Sequence, residues 1–454
     1  MSNAEIQVFM RILFIQSYLG RREPPVAPLG LASLAANLPN HDCRIFDPNV
    51  ATDPHEETRA IIKAYTPDIV ALSLRNIDTT KYSDQFLYFE YFRRYVEFVK
   101  EVDKNPLIVV GGSGFSLFPR RIMEMVTEID VGFTLEAEVS FQNFLDNNGR
   151  PDNIKGVVYR NEGSVVSTGF PDLVDVKEIA PPAWDMVDLT AYLPYTTRAS
   201  IGLETKRGCA LACSYCTYPV ISGSEVKQKR PAAVVDELVK LKEKHGVDRI
   251  FFCDPVFNYP LDHSKSICRE ILDRGLQIKW GAYHQDRFID EEYIDLALAA
   301  GCDDFYFSPD AASSEGLQVL NKASSVDSLK RSVEIIKSRG QAKASYNFFA
   351  AVPGIGWKNF GAALQFLIST RWKLGSRLVR WKLSYIRIEP ETEITKLVLG
   401  ADHIRNEELL LPVSKKQLRQ LFVRKTSSKL LNILLFFHFY TGALFGRKNV
   451  IRQD

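Results

Sequence analysis

The segment KRGCALACSYCTYP, residues 206–219, places three of the chain's seven cysteines at Cys209, Cys213 and Cys216, a C-x3-C-x2-C spacing. Thiolates are soft ligands that favour iron–sulfur clusters, zinc and Cu(I). A structural zinc takes four protein ligands, and no cysteine or histidine close in sequence supplies the fourth. The nearest, His245, falls in a helix–turn pattern, KEKHGVD. An iron–sulfur cubane normally takes four cysteines, and three leave one iron open to a substrate or cofactor. Zinc, or thiols that merely pack together, remain the alternatives on spacing alone. The other four, Cys43, Cys253, Cys268 and Cys302, read as core or loop thiols.

Such a loop needs a scaffold, and the triplet follows directly on a strand pattern, ASIGLET (199–205). Five more strand patterns come after it: RIFFCDP, IKWGAYH, DDFYFSPD, KASYNFFAAVPG and LVRWKLSYIRIEP. With helical patterns between them, six strands predict a partial (β/α)6 barrel, whose chemistry sits at the strand carboxyl ends. Upstream, RILFIQ (11–16), CRIFD (43–47), DIVALSL (68–74), PLIVVGG (106–112) and IDVGFT (129–134) alternate with amphipathic stretches. That alternation predicts an α/β, doubly wound parallel sheet of the Rossmann-like kind, binding ligands beyond its carboxyl edge. The reading divides the chain into an N-terminal sheet domain (1–145), a hairpin and linker (146–195), the barrel (196–395) and a helical C-terminal region (396–454). The hairpin should turn at Asn161-Glu162-Gly163.

Across 454 residues, Lys+Arg is 57 against Asp+Glu 55, a net charge of +2 that argues against a nucleic-acid partner. The N-terminus reads as lacking a signal peptide. The seven cysteines are then expected to be reduced thiols in a cytoplasmic setting. The apolar run 430–445 falls short of the roughly 20 residues a span needs. It reads either as a buried or subunit-contacting helix or as an interfacial helix in peripheral contact with a membrane, flanked by Lys429 and Arg447.

The C-x3-C-x-aromatic-C motif resembles the radical S-adenosylmethionine superfamily, and the resemblance implies a [4Fe–4S] cluster on Cys209, Cys213 and Cys216. It also implies that S-adenosylmethionine binds the open iron, with Tyr215 near the adenine. FSPDAASSEGLQVLNK (307–322) resembles the family's G-I-E-S-G-S…L…N-K segment, with Asp310 where a Glu is common, placed to meet a ribose hydroxyl or the amine. In AAVPGIGWKNF (350–360) Ile355-Gly356 replace the family's Glu-Thr, and in EPETEI (389–394) Glu391 replaces a Gly.

The N-terminal loops resemble the cobalamin-binding domain of B12-dependent radical enzymes. The resemblance assigns Leu29, Gly30, Ser73, Arg75 and Asn76 to the corrin and the Gly111-Gly112 turn to the nucleotide tail. Glu136 belongs to the loop Leu135-Glu136-Ala137-Glu138, which stands where the family has Gly-Glu-Gly-Glu. DPHEET (53–58) mimics a cobalt-ligating Asp-x-His, but it follows the second strand and reads as a helix start with Asp53 as N-cap. Cobalamin is then expected without a protein histidine, with Arg75 either near its lower face or paired with Asp78 or a cofactor phosphate.

The family implies a B12-dependent methyltransferase. One S-adenosylmethionine methylates the cobalamin, a second yields a 5′-deoxyadenosyl radical, and an unactivated carbon of a small-molecule substrate takes the methyl group. An external electron donor drives the cycle. Ring formation or rearrangement without methyl transfer, and a non-enzymatic sensor, are the alternatives. Trp280, Tyr283, Tyr306, Trp357 and Trp381 either line an apolar substrate site or belong to the core.

Overall fold

The computed structural model describes residues 9–20, 23–172 and 174–445, the side chains of residues 198 and 438–445 excepted. Strands β1 (Arg11–Gln16), β2 (Asp42–Phe46), β3 (Ile69–Ser73), β4 (Leu107–Gly111) and β5 (Val131–Phe133) form a parallel sheet. The interior of β1 is one apolar run, Ile12 to Ile15, buried on both faces. This is the signature of a parallel strand covered by helices on each side. The helix Tyr88–Val102 supplies one cover, burying Tyr88, Phe89, Phe92, Tyr95, Val96 and Val99 along a single stripe.

The hairpin turns where the sequence placed it. β6 (Val157–Asn161) and β7 (Ser164–Ser167) flank Glu162 and Gly163, both in the left-handed region. It is not a free connector, because β6 pairs antiparallel with β5, giving the order β2-β1-β3-β4-β5-β6-β7. The stretch read as a linker also packs. Trp184, Leu189 and Tyr192 are buried in the barrel's core cluster, each such side chain worth about 2 kcal/mol on burial.

In the second half, β8 (Gly202–Leu203) leads into β9 (Lys206–Arg207), which pairs antiparallel with β10 (Lys227–Gln228). β11 (Arg249–Phe252), β12 (Lys279–His284), β13 (Cys302–Asp310), β14 (Ala344–Phe349) and β15 (Leu378–Ser384) join β8 in one six-stranded parallel sheet, order β8-β11-β12-β13-β14-β15. Helices Pro231–His245, Leu261–Asp273, Glu291–Ala299, Val326–Ser338 and Trp357–Leu374 alternate with the strands. This is the expected open, partial barrel. Trp280 belongs to the core between sheet and helices, whereas Trp357 and Trp381 are exposed. Cys43, Cys268 and Cys302 are buried and Cys253, just past β11, is exposed.

The C-terminal region is not wholly helical. β16 (Ile386–Arg387) pairs antiparallel with β17 (Phe422–Val423) before the helix Lys429–Phe445. That helix buries Leu431 and Leu435 in a cluster with Ala350, Tyr385 and Phe422, and exposes Leu430, Ile433, Leu434, Phe436 and Phe437. Among the described residues no helix is long and apolar enough to cross a membrane. Arg447, expected to flank this run, lies outside the described residues.

Candidate functional site

The thiol loop begins at a backbone constraint. Gly208 has φ +82°, and a Cβ there would lie 1.8 Å from the Glu225 carbonyl oxygen, so only glycine lets β9 turn into Cys209. Just upstream, Asp254 is fully buried. Its carboxylate accepts the N–H of Thr205 at 2.8 Å and pairs with Lys206 Nζ at 3.5 Å. Lys206 Nζ also donates to the Phe257 carbonyl at 2.6 Å. A buried pair of this kind is tolerable because both ions have further hydrogen bonds. It ties the entry of the loop to the end of β11.

The loop's far side is held by the segments the sequence singled out. Ser214 N–H donates to the Leu320 carbonyl at 3.0 Å, Asn321 Nδ2 to the Ala212 carbonyl at 2.7 Å, and Ile394 N–H to the Ser214 carbonyl at 2.8 Å. Tyr215 donates its hydroxyl to Asp310 Oδ2 and sets its ring edge-on to Phe349, with centroids 4.9 Å apart. Lys322 Nζ donates to the same Asp310 oxygen at 2.9 Å and to the Ser308 carbonyl at 2.9 Å. Asp310 itself holds a left-handed φ of +66°. In the 350–360 segment, Asn359 Oδ1 accepts the N–H groups of Ala312 and Ser313, so its visible role is to brace the turn after Asp310.

Burial pushes all three thiols up, Cys216 to about 11, and Lys322 is the cation that pulls against that rise at each of them. Burial also works against the charged form of Lys322, but Asp310 and then Cys213 outweigh it, and the ammonium is held above its ordinary value. Among the described residues no three His, Cys, Asp or Glu side chains converge on one ion position. Three soft thiols that would hold a cluster together have no need to converge on one ion, and the donor set suits that group.

Across the domain boundary, the carboxyl edge of the N-terminal sheet opens on a cavity of about 340 Å³. Gly30, Ser73, Gly111, Gly112 and Glu136 line it, together with Phe14, Leu34, Phe133 and Phe141. A Cβ on Gly112 (φ +100°) would meet the Leu74 carbonyl oxygen at 2.6 Å, and one on Gly30 would meet nothing within 4 Å. Apolar walls, a glycine cradle and a polar rim suit a flat heterocycle on a polar tether, the build of a cobalamin nucleotide tail. The remaining three residues assigned to the corrin lie elsewhere. Leu29 packs against the barrel core, and Arg75 and Asn76 are exposed. The alternative pairing of Arg75 with Asp78 is not formed, because Asp78 Oδ2 accepts Arg387 Nε and Nη2, each at 3.2 Å. His55 sits in the first turn of Pro54–Tyr65, where Asp53 caps Glu56 N–H at 3.1 Å, and packs against Tyr18, Tyr95 and Phe98.

The loop Leu135–Glu138 keeps a left-handed backbone without its glycine, Leu135 having φ +58° and donating its N–H to Ser116 Oγ at 2.8 Å. Its two glutamates are shifted in opposite directions. Burial drives Glu136 up, with Arg207 only partly opposing, and its carboxylate accepts the Val174 N–H at 3.0 Å. Burial acts on Glu138 too, but Arg207 Nη2 lies 2.7 Å away and outweighs it, lowering that group. Arg207 also binds Glu204 at 2.9 Å and lines the cavity, two positions before Cys209. Sequence reasoning passed over Lys206, Arg207, Asp254, Glu138 and Lys322 as site residues. The visible signals were a Lys-Arg pair abutting the thiol motif, an Asp at a strand end and the Lys of the N-K pair.

Residues 16–145 match the family model described as B12 binding domain, and residues 203–367 match that of the Radical SAM superfamily. The chain is 26% identical over 312 residues to the uncharacterised methyltransferase PH0819 of Pyrococcus horikoshii, covering 67% of this chain and 66% of that protein. It is 27% identical over 296 residues to the anaerobic magnesium-protoporphyrin IX monomethyl ester cyclase of Cereibacter sphaeroides, covering 62% and 46%. It thus spans roughly half to just under two thirds of these relatives' lengths. The fold superposes on the radical S-adenosylmethionine methyltransferase TsrM from Kitasatospora setae with a TM-score of 0.75, at 22% identity, covering 87% of this chain and 76% of that one.

Proposed function

We propose that this chain, a B12 binding domain joined to a radical SAM domain, is a cobalamin-dependent radical S-adenosylmethionine enzyme that methylates an unactivated carbon of a small molecule. The observation that carries the reading is Arg207. It abuts the thiol loop, ion-pairs with Glu138 of the N-terminal domain and lines the cavity there, so the two cofactor regions face each other across one side chain.

When bound, the cluster with S-adenosylmethionine supplies radical-forming reduction and cobalamin carries the methyl group, reactivity no side chain offers at a carbon without an ionisable proton. In this reading Cys209, Cys213 and Cys216 hold the cluster, and Lys322 offsets the negative charge of their thiolates. Asp310 keeps Oδ2 for Tyr215 and Lys322, which leaves Oδ1 to accept a ribose hydroxyl or the amine. Gly30, Gly111 and Gly112 give the cobalamin tail room. Glu136, which lines the cavity and accepts the Val174 N–H, gives that rim a polar edge. Leu29, Arg75 and Asn76 are assigned to the corrin by the family resemblance alone, and in this reading no histidine serves as ligand. An external donor supplies electrons.

The test is anaerobic reconstitution with iron, sulfide and cobalamin, then incubation with S-adenosylmethionine and a reductant. About four irons and one cobalamin per chain are expected, with 5′-deoxyadenosine and S-adenosylhomocysteine as products. Stoichiometric zinc without iron overturns the reading. The likeness to a monomethyl ester cyclase carries a second reading, ring formation without methyl transfer. Product mass separates the two, since only methylation adds a methyl group.

A further inference from the structure

The inner face of the barrel holds a second cavity, of about 390 Å³, separate from the one at the N-terminal sheet. Sheet register explains its walls. Tyr283, Tyr306, Ser345 and Arg380 stand side by side in one row across β12 to β15, and side chains in one row share a face. Phe251, Gly281 and Asp304 form the row beneath. Arg249, one pleat lower still, closes the amino-terminal end.

Three rings make the wall. Phe251 meets Tyr283 and Tyr306 edge to face, with centroids 5.2 and 5.8 Å apart. Tyr283 remains 45% exposed although it sits on a central barrel strand, so the aromatic surface is not spent on packing. Gly281 keeps the floor open. A Cβ there would sit 3.5 Å from Arg249 Nη2, the Phe251 ring and the Tyr306 ring, and any longer side chain would fill the chamber.

The charges are unequal. Arg249 is neutralised by Asp303. Asp304 accepts Ser345 Oγ at 3.2 Å, and burial pushes its carboxyl up, with Tyr306, Ser345, Arg380 and Arg249 opposing. Arg380 lies 5.9 Å over the Tyr306 ring and makes no direct ion pair among the described residues, although the Asp304 carboxyl is near enough to feel its charge. The chamber therefore offers an aromatic slot with one guanidinium outside any direct ion pair, a group well suited to carboxylate or phosphate oxygens. Tyr306 precedes Asp310 by four residues of β13, about 13 Å at 3.3 Å per residue.

We propose that this chamber binds the far end of the substrate, a flat apolar body that ends in an anionic group held by Arg380, with the reacting carbon reaching toward the thiol loop. The inference deepens the proposed function and rests on it for the direction of the substrate. Its test is calorimetric titration of the reconstituted protein with 2-naphthoate, 2-naphthyl phosphate and the neutral 2-naphthylmethanol. At least one anion should bind ten-fold or more tightly than the alcohol, and the better of the two identifies the terminal group. Arg380→Gln, at an exposed position, should bring that anion down to the alcohol's affinity and leave the alcohol unchanged. Gly281→Leu should weaken all three probes. Equal binding of anions and alcohol by the unsubstituted protein, or anion binding unmoved by Arg380→Gln, overturns the inference. Iron content and S-adenosylmethionine cleavage by the unsubstituted protein read the proposed function separately, so a chamber without anion preference in a protein that holds four irons fails the inference alone.

Discussion

The thiol loop takes its three cysteines from eight consecutive positions, Cys209 to Cys216, whereas the cavity across the domain boundary collects its walls from residues as far apart as Phe14 and Ser222. The first is a local motif held at its ends, by Gly208 and Asp254 before it and by Leu320, Asn321 and Ile394 after it. The second exists only while the sheet edge, the Leu135–Glu138 loop and the barrel are docked. Damage to the loop should thus be total and confined. Damage to the contacts between domains should be graded and felt on both sides.

The largest expected effect is Cys213→Ala. It should abolish the cluster's visible absorbance and bring iron to near zero, with cobalamin still bound in about one equivalent. Loss of both cofactors together would show that the two regions are not separable. Next is Arg207→Met, which strands Glu138, a side chain only 8% exposed, without its cation. Breaking a buried pair by removing one partner costs about 3 kcal/mol, so Tm should fall and both cofactors should be held less tightly. Arg207→Met with Glu138→Gln should recover most of that loss. Equal Tm values for the single and double variants would mean that the bridge contributes little.

A smaller effect belongs to the second contact between domains. Burial raises Glu389 from 4.5 to about 7, with Arg387 opposing and Asp78 adding to the rise. A carboxyl raised in the folded state favours folding through its protonated form. That contribution is complete below about pH 4.5 and is lost as pH rises through about 7. Glu389→Gln should match the parent chain's stability at pH 5 and exceed it at pH 8 by on the order of 2 kcal/mol. A stability difference that does not change with pH, followed by thermal unfolding, would remove Glu389 from the account. The smallest effects are expected where a side chain stands in a glycine's conformation. Leu135 (φ +58°) and Glu391 (φ +59°) both occupy the left-handed region. Leu135→Gly and Glu391→Gly should each stabilise by about 0.5–1 kcal/mol, and destabilisation by either would show that packing outweighs backbone strain there.

Short-range rules determined a good deal from sequence alone. Apolar runs separated by amphipathic stretches specified two α/β units, because strand and helix periodicity are local properties. Thiol spacing, the Asp53 cap that starts the helix carrying His55, and the turn at Asn161–Gly163 were legible for the same reason. Tertiary structure alone decided which distant groups meet. It joined Tyr215 and Lys322 on Asp310, and gave Asp78 to Arg387 rather than Arg75. It shifted Glu136 and Glu138 in opposite directions around Arg207. It also sorted the aromatic residues, sending Trp280 to the core and Tyr283 and Tyr306 to the chamber. The physical reason is register. A strand's pleat assigns each side chain to one face, and only the pairing of strands tens of residues apart decides which side chains on that face become neighbours.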